Sequence, residues 1–239
     1  MSLRKGRSVI RSFTFHCCSP HFWSIIICGS EQALPAPLST IYIPVVSFFR
    51  IFALIVASIL AGCDTGKPSF QSTDITGADF GKAFSLTDHN GTQRALEDFR
   101  GRVVVIFFGF THCPDVCPTT LAELAGAVKK LGPAGEKVQV LLVTIDPLRD
   151  TSELLAKYVT AFNPQFLGLR GSAEETARVA KEFKVIYQKV AGPRAENYAM
   201  DHSAGSYIFD QQGRLRLYVG YGRGADTFAH DIELLLKQP

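Results

Sequence analysis

Two cysteines four residues apart, Cys113 and Cys117, stand in the segment Thr111-His112-Cys113-Pro114-Asp115-Val116-Cys117-Pro118. Thiols at that spacing can face one side of a single turn, where they either close a disulfide or hold one soft metal ion. The segment follows residues 103–110 (VVVIFFGF), a continuous apolar run rich in β-branched and aromatic residues that reads as a strand buried on both faces. It precedes residues 119–131, where Leu121, Leu124, Ala125, Val128 and Leu131 recur at helical spacing, Pro118 suits the first turn, and Gly132-Pro133 ends the run. Ligands bind at this place in an open α/β sheet, beyond the carboxyl ends of the strands. A helix start also favours negative charge, which predicts lowered thiol pKa values for Cys117 and, to a lesser degree, Cys113.

The elements that must position this segment follow from the rest of the chain. Residues 138–145 (VQVLLVTI) read as a second buried strand, so strand, helix and strand form a βαβ unit with a right-handed crossover. Helices are expected over residues 152–162 and 173–183, the latter opened by a Ser172-x-x-Glu175 capping signature, with a short apolar piece at 166–169 between them. Residues 206–209 and 215–219 around Asp210-Gln211-Gln212-Gly213 read as an antiparallel hairpin, and residues 225–236 as a closing helix. A shorter strand and turn come earlier, at residues 84–87 and His89-Asn90-Gly91. The expected fold class is α/β and thioredoxin-like, a central mixed sheet with helices on both faces.

Residues 109–118 (GFTHCPDVCP) resemble the metal-binding loop of the Sco/SenC family, and two further segments agree, 144–151 (TIDPLRDT) and 201–204 (DHSA). The resemblance runs from about Phe80 to the C-terminus. It implies a membrane-tethered thioredoxin-like protein that binds copper and helps to assemble the dinuclear CuA centre of cytochrome c oxidase subunit II. Cys113, Cys117 and His202 match the family's three copper ligands. Such a Cys₂His set suits both Cu(I) and Cu(II), and three ligands leave a position open for a partner's ligand to attack. Thioredoxin-like oxidoreductases carry a cis-proline before their hairpin; residues 198–204 hold no proline and offer His202 instead.

Other polar residues are given lesser roles. Asp115 is expected to face solvent and touch a partner, and Asp201 to orient an imidazole or cap the hairpin. His112 points away from the pair on strand alternation, His89 and His230 are solvated, and Asp146 and Asp150 are turn and cap residues. A rival reading is a thiol-disulfide reductase acting on the cysteines of an oxidase copper site, supplied by a thiol reductant. A peroxidase is disfavoured, because Pro114 stands where peroxiredoxins have Thr.

Apolar residues are concentrated near the start. Residues 41–62 (IYIPVVSFFRIFALIVASILAG) read as a secretory h-region, and Leu60-Ala61-Gly62-Cys63 resembles a bacterial lipobox, which implies cleavage after Gly62 and lipidation of Cys63. The alternative is a single uncleaved transmembrane anchor. Either places the remainder on the extracytoplasmic, periplasmic face of the membrane. The forty residues ahead exceed an n-region, which points to a later translation start at Val45 or Val46. Residues 1–62 are thus read as an export signal, 63–79 as a flexible tether rich in small and polar residues, and 80–239 as the copper-binding domain. Of the net charge of +3, residues 1–62 carry +4, from Arg4, Lys5, Arg7, Arg11 and Arg50 against Glu31, which leaves −1 on the rest. That balance excludes nucleic acid as a partner. The partners expected are an apo subunit II or similar copper protein, a copper donor and a thiol reductant.

Overall fold

The computed structural model describes residues 69–192 and 198–238. An eight-stranded mixed sheet forms the middle, in the order β1 (Thr73–Asp74), β10 (Leu215–Val219), β9 (Ser206–Phe209), β4 (Val103–Gly109), β5 (Val138–Thr144), β6 (Leu167–Arg170), β2 (Ser85–Asp88), β3 (Gln93–Ala95). The central strands are β4 (Val103–Gly109) and β5 (Val138–Thr144), parallel and in register from Val103 opposite Val138 to Gly109 opposite Thr144. Every residue of both strands is buried, as their unbroken apolar runs require. β6 (Leu167–Arg170) continues the parallel set, and β9 (Ser206–Phe209) and β10 (Leu215–Val219) add the predicted antiparallel hairpin on the other side of β4. β2 (Ser85–Asp88) pairs with β6 and with β3 (Gln93–Ala95), around a turn whose Gly91 has φ +82°.

Among the described residues four α-helices accompany the sheet: α1 (Val116–Lys130), α2 (Ser152–Thr160), α3 (Ala173–Glu182) and α4 (Gly224–Leu236). α1 packs against α4, α2 against β6 and α3 against β2. The capping box of α3 forms as read, with Ser172 N–H donating to Glu175 Oε2 at 2.8 Å and Glu175 N–H to Ser172 Oγ at 3.1 Å. The thioredoxin-like α/β expectation holds.

Two local features differ from the sequence reading, and a third gains an assignment. The chain joins the fold well before Phe80: β1 (Thr73–Asp74) pairs with β10, and the buried Asp231 carboxylate accepts from Gln71 N–H at 2.8 Å and Ser72 N–H at 2.9 Å. Residues 70–79 are therefore docked, held by backbone hydrogen bonds that leave no apolar periodicity. The apolar piece near 166–169 is the strand β6. A separate two-stranded sheet, β7 (Tyr187–Val190) with β8 (Ala199–His202), stands where no strands were expected, because most of its residues are exposed and only the short β8 alternates between exposed and partly buried positions. Cys63 and the apolar stretch before it lie outside the described residues, as do residues 193–197. Among the described residues no helix is long and apolar enough to cross a membrane.

Candidate metal centre

β4 ends at Gly109, and the loop that follows delivers Cys113 before α1 begins. α1 starts three residues earlier than the periodicity suggested, which puts Cys117 in its first turn. The turn carries the Cys117 thiol inward, where it is fully buried against the sheet, while Cys113 stays half-buried at the surface; both are free thiols. Gly109 makes the room, since a Cβ there would lie 2.8 Å from Cys117 Sγ and 2.9 Å from Phe107 Cε1. Across from the thiols, β8 ends on His202.

The ligand atoms of Cys113, Cys117 and His202 lie within 4.8 Å of one another. His202 Nε2 is 3.8 Å from Cys117 Sγ. Its Nδ1 is 2.9 Å from the Ser203 carbonyl oxygen, which can only accept, so Nδ1 carries the proton and the Nε2 lone pair faces the thiols. Burial lowers the imidazole pKa, against the opposing effects of the Ser203 carbonyl and Asp201. Phe110 and Phe107 lie steeply inclined to the imidazole, in edge-to-face pairs with centroid distances of 6.0 Å and 6.3 Å. The result is a neutral nitrogen donor and two sulfur donors, walled by apolar rings on the sheet side.

The expectation of a lowered Cys117 pKa is overturned. Burial pushes this thiol well above the usual cysteine range, despite a hydrogen bond from the Phe110 backbone, and nearby Cys113 and Asp150 add to the rise. A side chain wholly removed from water loses more by desolvation of its thiolate than a helix start returns. The free pair thus holds at least one proton that a soft cation must displace.

The remaining residues are distributed around this centre. Asp150, fully buried, accepts from Thr111 Oγ1 and Thr144 Oγ1, both at 2.5 Å, and from Thr111 N–H at 3.2 Å, which ties the cysteine loop to the end of β5. Asp146 accepts from Arg149 Nε at 2.5 Å and from the Tyr198 hydroxyl at 2.7 Å. His112 is exposed and apart from the ligand set, its Nδ1 3.8 Å from Asp150 Oδ1. Asp115 is exposed at the start of α1 and accepts from Thr119 Oγ1 at 3.2 Å. Asp201 is exposed on β8, and the Nδ1 proton of His202 goes to Ser203 instead. His89 and His230 are not simply solvated: Gly168 N–H donates to His89 Nδ1 at 3.1 Å, and His230 Nδ1 lies 2.9 Å from Asp231 Oδ1. Gly109 stands in the family-like segment but was given no role of its own, and Phe107 and Tyr158 had none. The Tyr158 hydroxyl is buried without a hydrogen-bond partner, and its pKa is raised by burial and then by the two thiols.

The SCO1/SenC family model matches residues 72–237. The mitochondrial SCO2 homolog of Bos taurus is 42% identical over 153 residues, covering 62% of this chain and 57% of that protein. The chain thus spans little more than half the length of such relatives. Among solved structures, copper-bound ScoI of Bradyrhizobium japonicum is 36% identical with a TM-score of 0.61, covering 66% of this chain and 99% of that one. Apo Sco1 of Thermus thermophilus is 39% identical with a TM-score of 0.64, covering 72% and 99%.

Proposed function

This chain belongs to the SCO1/SenC family, and from that premise we propose that it is a copper-delivery protein whose carriers are Cys113, Cys117 and His202. One observation carries the reading: two thiols and an imidazole from separate parts of the chain converge within 4.8 Å, one of the thiols accessible from outside. Two thiolates suit Cu(I), and the imidazole extends the site to Cu(II). The partial exposure of Cys113 leaves a side from which an acceptor's ligand can attack, so the ion moves by ligand exchange without being released to solvent. The copper-bound Bradyrhizobium japonicum relative supports the choice of metal.

The acceptor in this proposal is an apo cytochrome c oxidase subunit II or a similar copper protein, as the family resemblance implies. The protein works at the extracytoplasmic face of the membrane, tethered through lipid on Cys63 or through an uncleaved apolar span. A copper donor and a thiol reductant complete the cycle, since a Cys113–Cys117 disulfide offers no thiolate.

Mixing an apo dinuclear-copper subunit with equal amounts of the Cu(I)-loaded and Cu(II)-loaded domain, which together supply a mixed-valence pair with no outside reductant, tests delivery. The acceptor's absorption band is expected to grow as the donor's fades, faster than from a copper chelate of equal affinity. Equal rates from both would contradict the proposal. A second reading, reduction of the acceptor's disulfide, is favoured by the pairing of an accessible thiol with a buried one. In that step two thiols become the Cys113–Cys117 disulfide while the target disulfide takes up two electrons and two protons. It predicts that the metal-free reduced domain alone converts an oxidised acceptor to its dithiol.

A further inference from the structure

The turn between β5 and α2 touches both halves of the centre. On one side its Asp150 holds Thr111, at the root of the cysteine loop. On the other it reaches Tyr198, the residue just before β8. The Arg149 guanidinium lies 3.6 Å from the centroid of the Tyr198 ring and donates through Nη1 to the Tyr198 carbonyl at 2.9 Å. The Tyr198 hydroxyl donates to Asp146 Oδ1 at 2.7 Å, and Asp146 Oδ2 accepts from Arg149 Nε at 2.5 Å. Lys189 of β7 adds its ammonium 3.7 Å from the same ring. The Arg149 guanidinium also lies 5.8 Å from the centroid of the Phe110 ring, which pairs edge-to-face with His202.

We propose that Asp146, Arg149 and Tyr198 form a latch that positions His202 over the cysteine pair. Three features carry this. The β7–β8 ribbon is a two-stranded unit apart from the main sheet, and ribbons of that size have little stability of their own. Asp146 is buried, and a planar guanidinium that stacks on an aromatic ring while bonding a carboxylate and a carbonyl is a fixed joint, not a solvated ion pair. The joint seizes the ribbon at the first residue before β8, and His202 is the last residue of that strand. Without the latch the cysteine loop keeps its Asp150 anchor, whereas the strand that carries the imidazole is left to the bonds at its other end, where Ser203 N–H donates to the Ile186 carbonyl at 2.9 Å and Ile186 N–H to Ser203 Oγ at 3.1 Å. The latch therefore governs the imidazole-dependent state of the site and leaves the two-thiolate state alone. These are positioning residues, since none of them belongs to the ligand set.

The test compares Tyr198→Ala, Tyr198→Phe and Arg149→Met with the parent in two measurements. The first needs no copper: amide hydrogen exchange of the metal-free reduced protein. Exchange in β7 and β8 is expected to rise about tenfold in Tyr198→Ala and Arg149→Met, and less in Tyr198→Phe, with β4 and β5 unchanged. Unchanged exchange in β7 and β8, or an equal rise in β4 and β5, would overturn the proposal. Where Tyr198→Ala does not fold, Tyr198→Phe carries the comparison by itself, since it removes only the hydroxyl bond to Asp146. The second measurement rests on the copper reading. Cu(II) affinity is expected to fall about tenfold and Cu(I) affinity to stay within about twofold, a split that a merely destabilised fold would not give. Parallel losses of both would overturn the latch. If His202→Ala itself leaves Cu(II) binding intact, the ligand assignment fails instead, and the exchange measurement still decides the latch.

Discussion

A methyl group at position 109 would crowd Cys117 Sγ and the Phe107 ring at under 3 Å, so the last residue of β4 is tied to the metal centre by space alone. Gly109→Ala is expected to cost about 1–3 kcal/mol, the range for overpacking a filled core. It should also weaken Cu(I) binding, because Cys117 must shift to make room. Urea denaturation and competition against a Cu(I) chelator check the two effects, and an unstrained variant with parental copper affinity would contradict the account. At this scale the sequence was legible for the ligand set and not for its surroundings. Cys113 and Cys117 declare themselves by spacing, and His202 by its family motif. Cys117 stands four and seven residues before Leu121 and Leu124, so its burial follows once the helix is taken back to Val116; a start at Thr119 left it in the loop, and the rise of its pKa by desolvation went unread with it.

Strands and helices with buried faces matched their patterns to within a few residues, β9 and β10 at both ends, because periodicity and capping chemistry act locally. The β7–β8 ribbon was invisible for the opposite reason: its stability is borrowed from the joint around Tyr198, which is formed at long range. The turn between β9 and β10 offers a measurement on one element. Its buried Asp210 accepts from Gln212 N–H at 3.1 Å, Arg214 N–H at 2.9 Å, Arg214 Nε at 2.8 Å and Arg216 Nη1 at 3.2 Å. Burial acts to raise this carboxyl pKa, but the backbone and guanidinium hydrogen bonds outweigh it and hold it below the usual range. A carboxylate with a lowered folded-state pKa contributes stability that is complete above the unfolded value of about 3.9 and is lost as pH falls through the folded value. Asp210→Asn is therefore expected to lower stability by about 1–3 kcal/mol at neutral pH and to flatten the acid limb below about pH 4. Parallel stability curves for the two proteins across that window would refute the role given to Asp210.

For the whole molecule, the entry of the chain is the feature most easily misread. Residues 70–79 look like tether in composition, yet Gln71 and Ser72 satisfy the buried Asp231 carboxylate and Thr73–Asp74 extend the sheet. A domain beginning at Phe80 leaves that carboxylate without two donors and uncovers the edge of β10. It is expected to be about 3 kcal/mol less stable than one beginning at Ser69, with part of the loss recovered by Asp231→Asn in the shorter form. Equal urea midpoints for the two forms would place the domain boundary at Phe80 after all. Whether Cys113, Cys117 and His202 act together as one copper site is decided by anaerobic titration of the reduced domain with Cu(I) and then Cu(II), beside Cys113→Ala, Cys117→Ala and His202→Ala. A single equivalent is expected, with loss of both ions without either cysteine, loss chiefly of Cu(II) without His202, and a thiolate-to-Cu(II) charge-transfer band in the parent. Stoichiometric copper retained in either cysteine variant, or none bound by the parent, would contradict a shared site.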